Sequence, residues 1–323
     1  MKRDHSLDFI KFSLVLLVIL GHSIQYTYIK FGLDFDNSLI FRFIYSFHMP
    51  LFMFISGCLF VNVKSLKILQ KVQLLIIPFF SWAIIDYFFF DSGSNFSVYI
   101  KNVIYQPDLG LWFLWVLFFI MVSTYILRIY LSDLLVFIVT GLIVLFVYFV
   151  SIFFKFKGFG VGLYAWQILY FVIGMYFYKY KHQFLKLNYF ILFPILIIVY
   201  VFSMIFWERN ISQVNIFDIS FLNQAVGLVV KYLAALSFIF IIVLNWNVFS
   251  NLLNNRICLF FSENSLAFYA VQFPIINYVL IGKFSENIYV YMIICFVITV
   301  ILSTVSIFIL NKIKYIRIPL FGR

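Results

Sequence analysis

The sequence predicts an all-α polytopic membrane protein, a bundle of about ten transmembrane helices. Of its 323 residues, 65% are hydrophobic and 11% are charged, and the mean hydropathy is +1.08. Soluble domains are about 45–50% apolar and about 25% charged. The apolar residues form runs of roughly 20 residues, the length that crosses a hydrocarbon core. These runs do not alternate in polarity, as the roughly 10-residue strands of a membrane β-barrel would.

Ten apolar runs follow one another along the chain. The first continues to about Tyr28 without a clear small-residue cleavage site, so we expect a retained membrane helix and not a signal peptide. The connections are short, so we expect a single transmembrane domain over residues 1–323, with no soluble domain and with any chemistry inside the bundle. The predicted spans are 7–28, 40–62, 73–91, 111–130, 133–154, 161–180, 187–207, 223–245, 259–282 and 288–311.

The basic residues predict the orientation of the bundle, because cytoplasmic loops carry an excess of Lys and Arg. With ten spans and both termini in the cytoplasm, seven basic residues face outward and the inner side has twice as many. The inner set is Lys2, Arg3, Lys64, Lys67, Lys71, Arg128, Lys179, Lys181, Lys186, Arg256, Lys312, Lys314, Arg317 and Arg323. The net charge of +11 is thus explained by topology and by contact with anionic lipids, and no nucleic-acid partner is needed.

Three ionisable residues lie in the first predicted helix, Asp8, Lys11 and His22. At 100° per residue, His22 lies about 20° from Lys11 and about 40° from Asp8 around the helix axis, so the three share one face. Ionisable groups at membrane depth are costly and indicate function. We expect Asp8 and Lys11 to neutralise each other. The alternatives are an interfacial position for that pair and a packing role for His22.

The second predicted span contains His48, two residues before Pro50. His48 and His22 lie at similar distances from the outer ends of their helices, so antiparallel neighbours would bring both imidazoles to one depth. Pro50 removes a backbone hydrogen bond, and the alternative role for His48 is to cap a carbonyl freed there. The three cysteines lie in apolar runs without CxxC spacing, so we predict neither a disulfide nor a metal site.

Several segments of the chain carry short motifs in a fixed order. The first is Lys11 and His22, which read as K-x10-H. The others are Phe47-His48-Met49-Pro50-Leu51-Phe52 with Ser56-Gly57, Leu75-Ile76-Ile77-Pro78-Phe79, Leu111-Trp112-Phe113-Leu114, Phe171-Val172-Ile173-Gly174 and Ser265-Leu266-Ala267-Phe268-Tyr269. Together, and in this order, these segments resemble the integral-membrane acyltransferase type 3 family. The chain departs from the family at two positions. Only Lys71 fits a site where many members carry two arginines, and Gln272 stands where many carry histidine.

The resemblance implies transfer of an acyl group, usually acetyl, from a cytoplasmic thioester such as acetyl-CoA to a sugar hydroxyl. The acceptor would be an envelope or exported polysaccharide or a lipid-linked glycan, and acetyl-CoA would be a substrate, with no bound cofactor. A sugar hydroxyl needs a base to take its proton, and histidine suits that role at neutral pH. The enzyme would lie in the cytoplasmic membrane.

The candidate residues take separate roles in this reaction. His22 is the predicted base or, alternatively, a covalent acyl acceptor, and His48 orients the acceptor or stabilises the oxyanion. Asp8 and Lys11 position the first helix or meet the donor's phosphates, and Lys71 is a further phosphate contact. Trp112 at a helix start and Gln272 are candidates for acceptor binding. Trp112 is equally explained as an interfacial anchor.

Two other classes of function fit the same composition. A transporter or flippase for an acyl group or polysaccharide would use the polar face of the first helix as its pathway, and a structural subunit of a glycan-synthesis complex would need no site. The sequence shows neither internal repeats nor paired broken helices, the usual signs of a secondary transporter. Two histidines at one depth favour chemistry.

Overall fold

A computed structural model describes residues 3–90, 93, 95–154, 156, 158–209, 220–251, 255–282 and 284–323. Within these ranges the chain is helical and contains no strand, which confirms the predicted fold class. The α-helices are α1 (His5–Lys30), α2 (Leu39–Phe60), α3 (Ile68–Lys71), α4 (Ile77–Phe90), α5 (Phe96–Tyr105), α6 (Trp112–Tyr130), α7 (Asp133–Phe153), α8 (Val161–Lys179), α9 (Lys181–Phe184), α10 (Tyr189–Ile205), α11 (Ser220–Leu244), α12 (Trp246–Asn251), α13 (Arg256–Glu263), α14 (Ser265–Ile281), α15 (Ile288–Leu310) and α16 (Lys314–Phe321).

Each of the ten predicted runs coincides with a helix or a linked pair of helices. Eight helical segments in the described residues are long and apolar enough to cross a membrane. One of them, Ile68–Phe89, joins α3 to α4 through a π-helical turn at Val72–Ile76. The apolar helix α10 is shorter, with 17 residues. The run 259–282 is not one straight span, because α13 and α14 meet at Asn264 with a bend of 79°.

Polar side chains just before several helices satisfy backbone groups that a helix start leaves free. The Asp4 carboxylate accepts from the Ser6 amide at 3.1 Å at the start of α1. The Asn255 side chain accepts from the Cys258 amide at 2.9 Å at the start of α13. Asn95 and Asn188 do the same for α5 and α10. These caps fix where the helices begin.

The chain divides into two compact units, each built from two separate segments. In the described residues, unit one comprises 3–52 and 180–305. Within it, α1 packs against α12, α13 and α14, and α10 packs against α11. Between Ile10 and Ile24, the buried side chains of α1 are aliphatic or small. The polar side chains of α1 lie on one face, which is described below. Helix α1 therefore carries the polar residues into the interior of unit one.

Unit two comprises the described residues of 53–179 and 306–323. Its helix α8 packs against α6 and α7, and α16 packs against α4. The end of α2 meets α8 at two glycines: a Cβ at Gly57 would overlap the Phe171 carbonyl, and one at Gly174 would overlap the Phe54 carbonyl. The Cys58 thiol donates to the Gly174 carbonyl at 3.2 Å. Small residues allow such backbone contact between membrane helices.

Candidate active site

Both predicted histidines lie against the same tyrosine in unit one. The Tyr45 ring centroid is 6.2 Å from that of His22 and 4.7 Å from that of His48. His22 comes from α1, and Tyr45 and His48 come from α2, one turn apart. The structure thus places the two imidazoles around one side chain, as the depth argument expects, while their catalytic roles stay predictions.

His22 is partly exposed and sits among aromatic rings. Its ring centroid lies 4.7 Å from that of Phe273 on α14 and 6.4 Å from that of Tyr26 on α1. The Tyr45 hydroxyl is 3.3 Å from His22 Nδ1 and 2.8 Å from Gln25 Oε1. Gly21 allows this approach, because a Cβ there would lie 3.0 Å from Cε2 of Tyr45. An imidazole with an open side and fixed neighbours suits proton transfer to a bound molecule.

His48 is buried, with 4% of its surface exposed. Its Nδ1 lies 2.8 Å from the Ile44 carbonyl oxygen. A carbonyl only accepts, so Nδ1 carries the proton and Nε2 the lone pair. Helix α2 continues through Pro50, and the carbonyl that Pro50 leaves without its helical donor is that of Ser46, four residues earlier. His48 therefore does not cap the freed carbonyl, which differs from the alternative role considered for it.

The predicted pair of Asp8 with Lys11 is replaced by a pair with Arg3. The Arg3 guanidinium contacts both carboxylate oxygens of Asp8, at 2.6 and 3.1 Å, and Glu263 at 2.8 Å. The Ser262 hydroxyl donates to Asp8 at 2.6 Å. The planar guanidinium matches a carboxylate at two points, which an ammonium cannot do. These hydrogen bonds raise the pKa of Arg3 above its ordinary value.

Lys11 instead contacts the broken helix. Its Nζ donates to the Ser262 carbonyl at 3.3 Å. Ser262 lies in the last turn of α13, where carbonyls have no partner within the helix. A cation near the carboxyl end of a helix also interacts favourably with its dipole. Lys11 and Asp8 therefore both contact Ser262 at the end of α13. The roles predicted for them, positioning of the first helix or contact with the donor's phosphates, stay predictions.

A second ion pair fixes the start of α1. Lys181 contacts Asp4 at 2.7 Å, and the Trp246 indole donates to the same carboxylate oxygen at 3.3 Å. Burial of Asp4 raises the pKa of its carboxyl, but the hydrogen bond and charge of Lys181 outweigh this and hold the pKa below its usual range. The Lys181 ammonium also lies 5.0 Å from the Trp246 ring centroid. The first turn of α1 is therefore rigidly attached to α9 and α12.

The remaining predicted residues fall in different places. Lys71 ends α3 and Trp112 begins α6, both in unit two and both partly exposed. Gln272 lies in α14 of unit one, fully buried, with its amide donating to the Tyr269 carbonyl at 3.1 Å. In the described residues no group of three or more His, Cys, Asp and Glu side chains is arranged to hold a metal ion. The roles given to Lys71, Trp112 and Gln272 stay predictions.

Sequence reasoning missed four residues that contact the predicted ones: Arg3, Gln25, Tyr45 and Ser262. Gln25 is three residues after His22 and Tyr45 three before His48, so helical spacing was a signal for both. Arg3 was counted only as a topological charge. Ser262 had no local signal, because its contacts with Asp8 and Lys11 span about 250 residues of chain.

Comparisons with known proteins point to the same class of enzyme as the sequence motifs do. A family model for an acyltransferase domain, acyltransferase 3, matches residues 4–310. The nodulation protein NolL of Sinorhizobium fredii is 49% identical over 57 residues, 18% of this chain and 16% of that protein. NolL of Mesorhizobium japonicum is 40% identical over 85 residues, 25% of this chain and 23% of that protein. The chain thus spans less than a quarter of the length of either relative.

No solved structure matches the chain with statistical significance. The family match extends well beyond the stretches shared with these relatives, since it covers both histidines, Asp8 and nearly all of the helices. The chain therefore belongs to the integral-membrane acyltransferase 3 family.

Proposed function

We propose that this membrane acyltransferase moves an acetyl group from cytoplasmic acetyl-CoA to a hydroxyl of an envelope or exported polysaccharide or a lipid-linked glycan. The observation that carries this proposal is His22, a partly exposed imidazole inside a helix long and apolar enough to cross the membrane, in a chain of an acyltransferase family. Family membership supports the acyltransferase class, and the choice of donor, acyl group and acceptor is ours.

The proposed reaction forms one carbon–oxygen bond and breaks one carbon–sulfur bond. The acceptor oxygen attacks the thioester carbonyl while Nε2 of His22 takes the hydroxyl proton. The tetrahedral intermediate expels the thiolate of CoA, and the thiolate takes up the proton, which returns His22 to its neutral form. A variant of this route places the acyl group on His22 first and transfers it to the sugar second. Buried His48 would orient the groups around Tyr45.

The donor would enter at the end of α1 that carries the ionic cluster. The cations on this end are Arg3, Lys11 and Lys181, and the structure gives each of them a protein partner. We assign the contacts with the phosphates of CoA to Lys71, a partly exposed residue at the end of α3. Lys11 and Asp8 would act by holding α13 in place. Trp112 and Gln272 are the proposed acceptor contacts.

With a cytoplasmic donor, we expect both termini of the chain to face the cytoplasm. The cell would be one whose envelope or exported glycan is modified. On the predicted outer connection Ser94 lies outside the described residues, and Ser97 is exposed; Ser65 is exposed on the predicted inner connection. The three native cysteines are buried. We expect Ser97→Cys to react with an impermeant maleimide in intact cells and Ser65→Cys to react only after permeabilisation. The opposite labelling would contradict this orientation and the cytoplasmic donor.

The activity is tested with purified protein in detergent, radiolabelled acetyl-CoA and candidate glycans. We expect label to appear on the glycan without a membrane or a gradient, and we expect none on a glycan already fully acetylated. Label that stays on CoA with an authentic acceptor would contradict transfer. Gradient-dependent movement of acyl groups or glycan across proteoliposomes would then favour a transporter.

A further inference from the structure

We propose that Tyr45 and Gln25 are positioning residues that hold His22 with its proton on Nδ1 and leave the lone pair of Nε2 facing the acceptor hydroxyl. This inference rests on the proposed function, in which His22 is the base. It adds a structural reason why one particular nitrogen of His22 acts, and it assigns roles to two residues outside the predicted site.

The hydroxyl of Tyr45 has a single proton, which only one of its two neighbours can accept. The Tyr45 hydroxyl lies 2.8 Å from Gln25 Oε1 and 3.3 Å from His22 Nδ1. An amide oxygen accepts and cannot donate, so the hydroxyl proton points to Gln25. The hydroxyl oxygen then accepts from its other neighbour, and Nδ1 must carry a hydrogen. The relay therefore runs from Nδ1–H of His22 through Tyr45 to Gln25.

Packing holds the three side chains in this relation. Gln25 follows His22 by three residues on α1, so both lie on one helix face. The Tyr45 ring stacks on Phe41 with centroids 3.8 Å apart, and Gly21 leaves room for its edge. On the other side of Tyr45, Nδ1–H of His48 donates to the Ile44 carbonyl, while the Tyr45 hydroxyl contacts Gln25 and His22.

The relay decides whether His22 can act as a base. A neutral imidazole has one nitrogen with a hydrogen and one with a lone pair, and the partner of one nitrogen sets the state of the other. If the amide oxygen of Gln25 were removed, the Tyr45 hydroxyl would turn its proton to Nδ1. The hydrogen of the ring would then sit on Nε2, where the acceptor binds, and the base would be lost. A wrong tautomer is a severe catalytic defect.

Three variants test the relay through kcat and KM for the acceptor: Tyr45→Phe, Gln25→Leu and the double variant. We expect each single change to lower kcat about 10²-fold with little change in KM. In the Tyr45→Phe background no hydroxyl can donate to Nδ1, so Gln25→Leu should have almost no further effect. Gln25→Glu keeps an acceptor for Tyr45 and should retain much more activity than Gln25→Leu. Additive losses, or normal kcat in both single variants, would overturn the proposal.

A spectroscopic measurement separates tautomer control from simple packing. The chain has four histidines, so ¹⁵N-histidine labelling gives few signals, and the loss of one in His22→Gln assigns His22. We expect an unprotonated Nε2 in the wild type and a protonated Nε2 in Gln25→Leu. A wild type with protonated Nε2, or the same tautomer in both proteins, would overturn the proposal even if turnover changed.

The same assay distinguishes failure of this inference from failure of the proposed function. Normal turnover of His22→Ala would show that His22 is not the base, and the proposed mechanism would then be wrong. If His22→Ala is inactive while Tyr45→Phe and Gln25→Leu turn over normally, only the relay is wrong. Elution of each purified variant as a single peak in size-exclusion chromatography shows that the comparison is between folded proteins.

Discussion

His22→Ala is expected to reduce acyl transfer by about 10²–10⁴-fold, the usual contribution of a general base. The rings around His22, those of Tyr26, Tyr45 and Phe273, cannot take the acceptor proton at neutral pH, and the neighbouring His48 is buried. Because His22 is partly exposed, expression and thermal stability should stay close to those of the wild type. Turnover with radiolabelled acetyl-CoA at saturating acceptor measures the effect.

Lys11 provides the contrasting variant on the same helix face. Lys11→Ala removes the donor to the Ser262 carbonyl at the end of α13, while Asp8 keeps Arg3 and Ser262 as partners. Stability or the KM for the donor should therefore suffer more than kcat, and Lys11→Arg should retain part of the function. Varying the donor concentration separates the two patterns.

Normal turnover of His22→Ala would show that His22 only packs, and the polar face of α1 would need another explanation.

The sequence was sufficient to predict the helices and to predict that the two histidines come close. In a bilayer, runs of about 20 apolar residues form helices, because every backbone polar group must be satisfied internally. The similar distances of His22 and His48 from the outer ends of their helices also predicted that the two imidazoles come close, although their common neighbour Tyr45 was not predicted. These are local properties, readable within one helix or between two successive ones.

Contacts between distant segments were beyond the sequence. The run 259–282 contains no proline or glycine near Asn264, and the polar segment Ser262-Glu263-Asn264-Ser265 was the local signal for its 79° bend. The bend places Ser262 against Asp8 and Lys11. The expected pair of Asp8 and Lys11 was wrong in partner, because Arg3 lies just outside the apolar run and folds back onto Asp8. Side-chain geometry, and not spacing, decided between the two cations.

Gly174→Leu is expected to prevent α8 from packing against the end of α2 and to leave little folded protein. The Cβ alone would overlap the Phe54 carbonyl, and backbone atoms cannot turn aside as side chains do. Gly57→Ala is the milder change at the same contact, where the added methyl meets the Phe171 carbonyl. Overpacking a well-packed site costs about 1–3 kcal/mol, and a contact with backbone lies at the upper end of that range or beyond it.

Gly162→Ala is the matched control, because Gly162 lies on the same helix α8 and a Cβ there meets nothing within 4 Å. Its thermal unfolding, followed by fluorescence-detected size-exclusion chromatography, should match that of the wild type, while Gly57→Ala unfolds at a clearly lower temperature. Equal stability of the Gly57 and Gly162 variants would mean that α2 and α8 separate easily. In that case Gly57 and Gly174 would have a role other than close backbone packing.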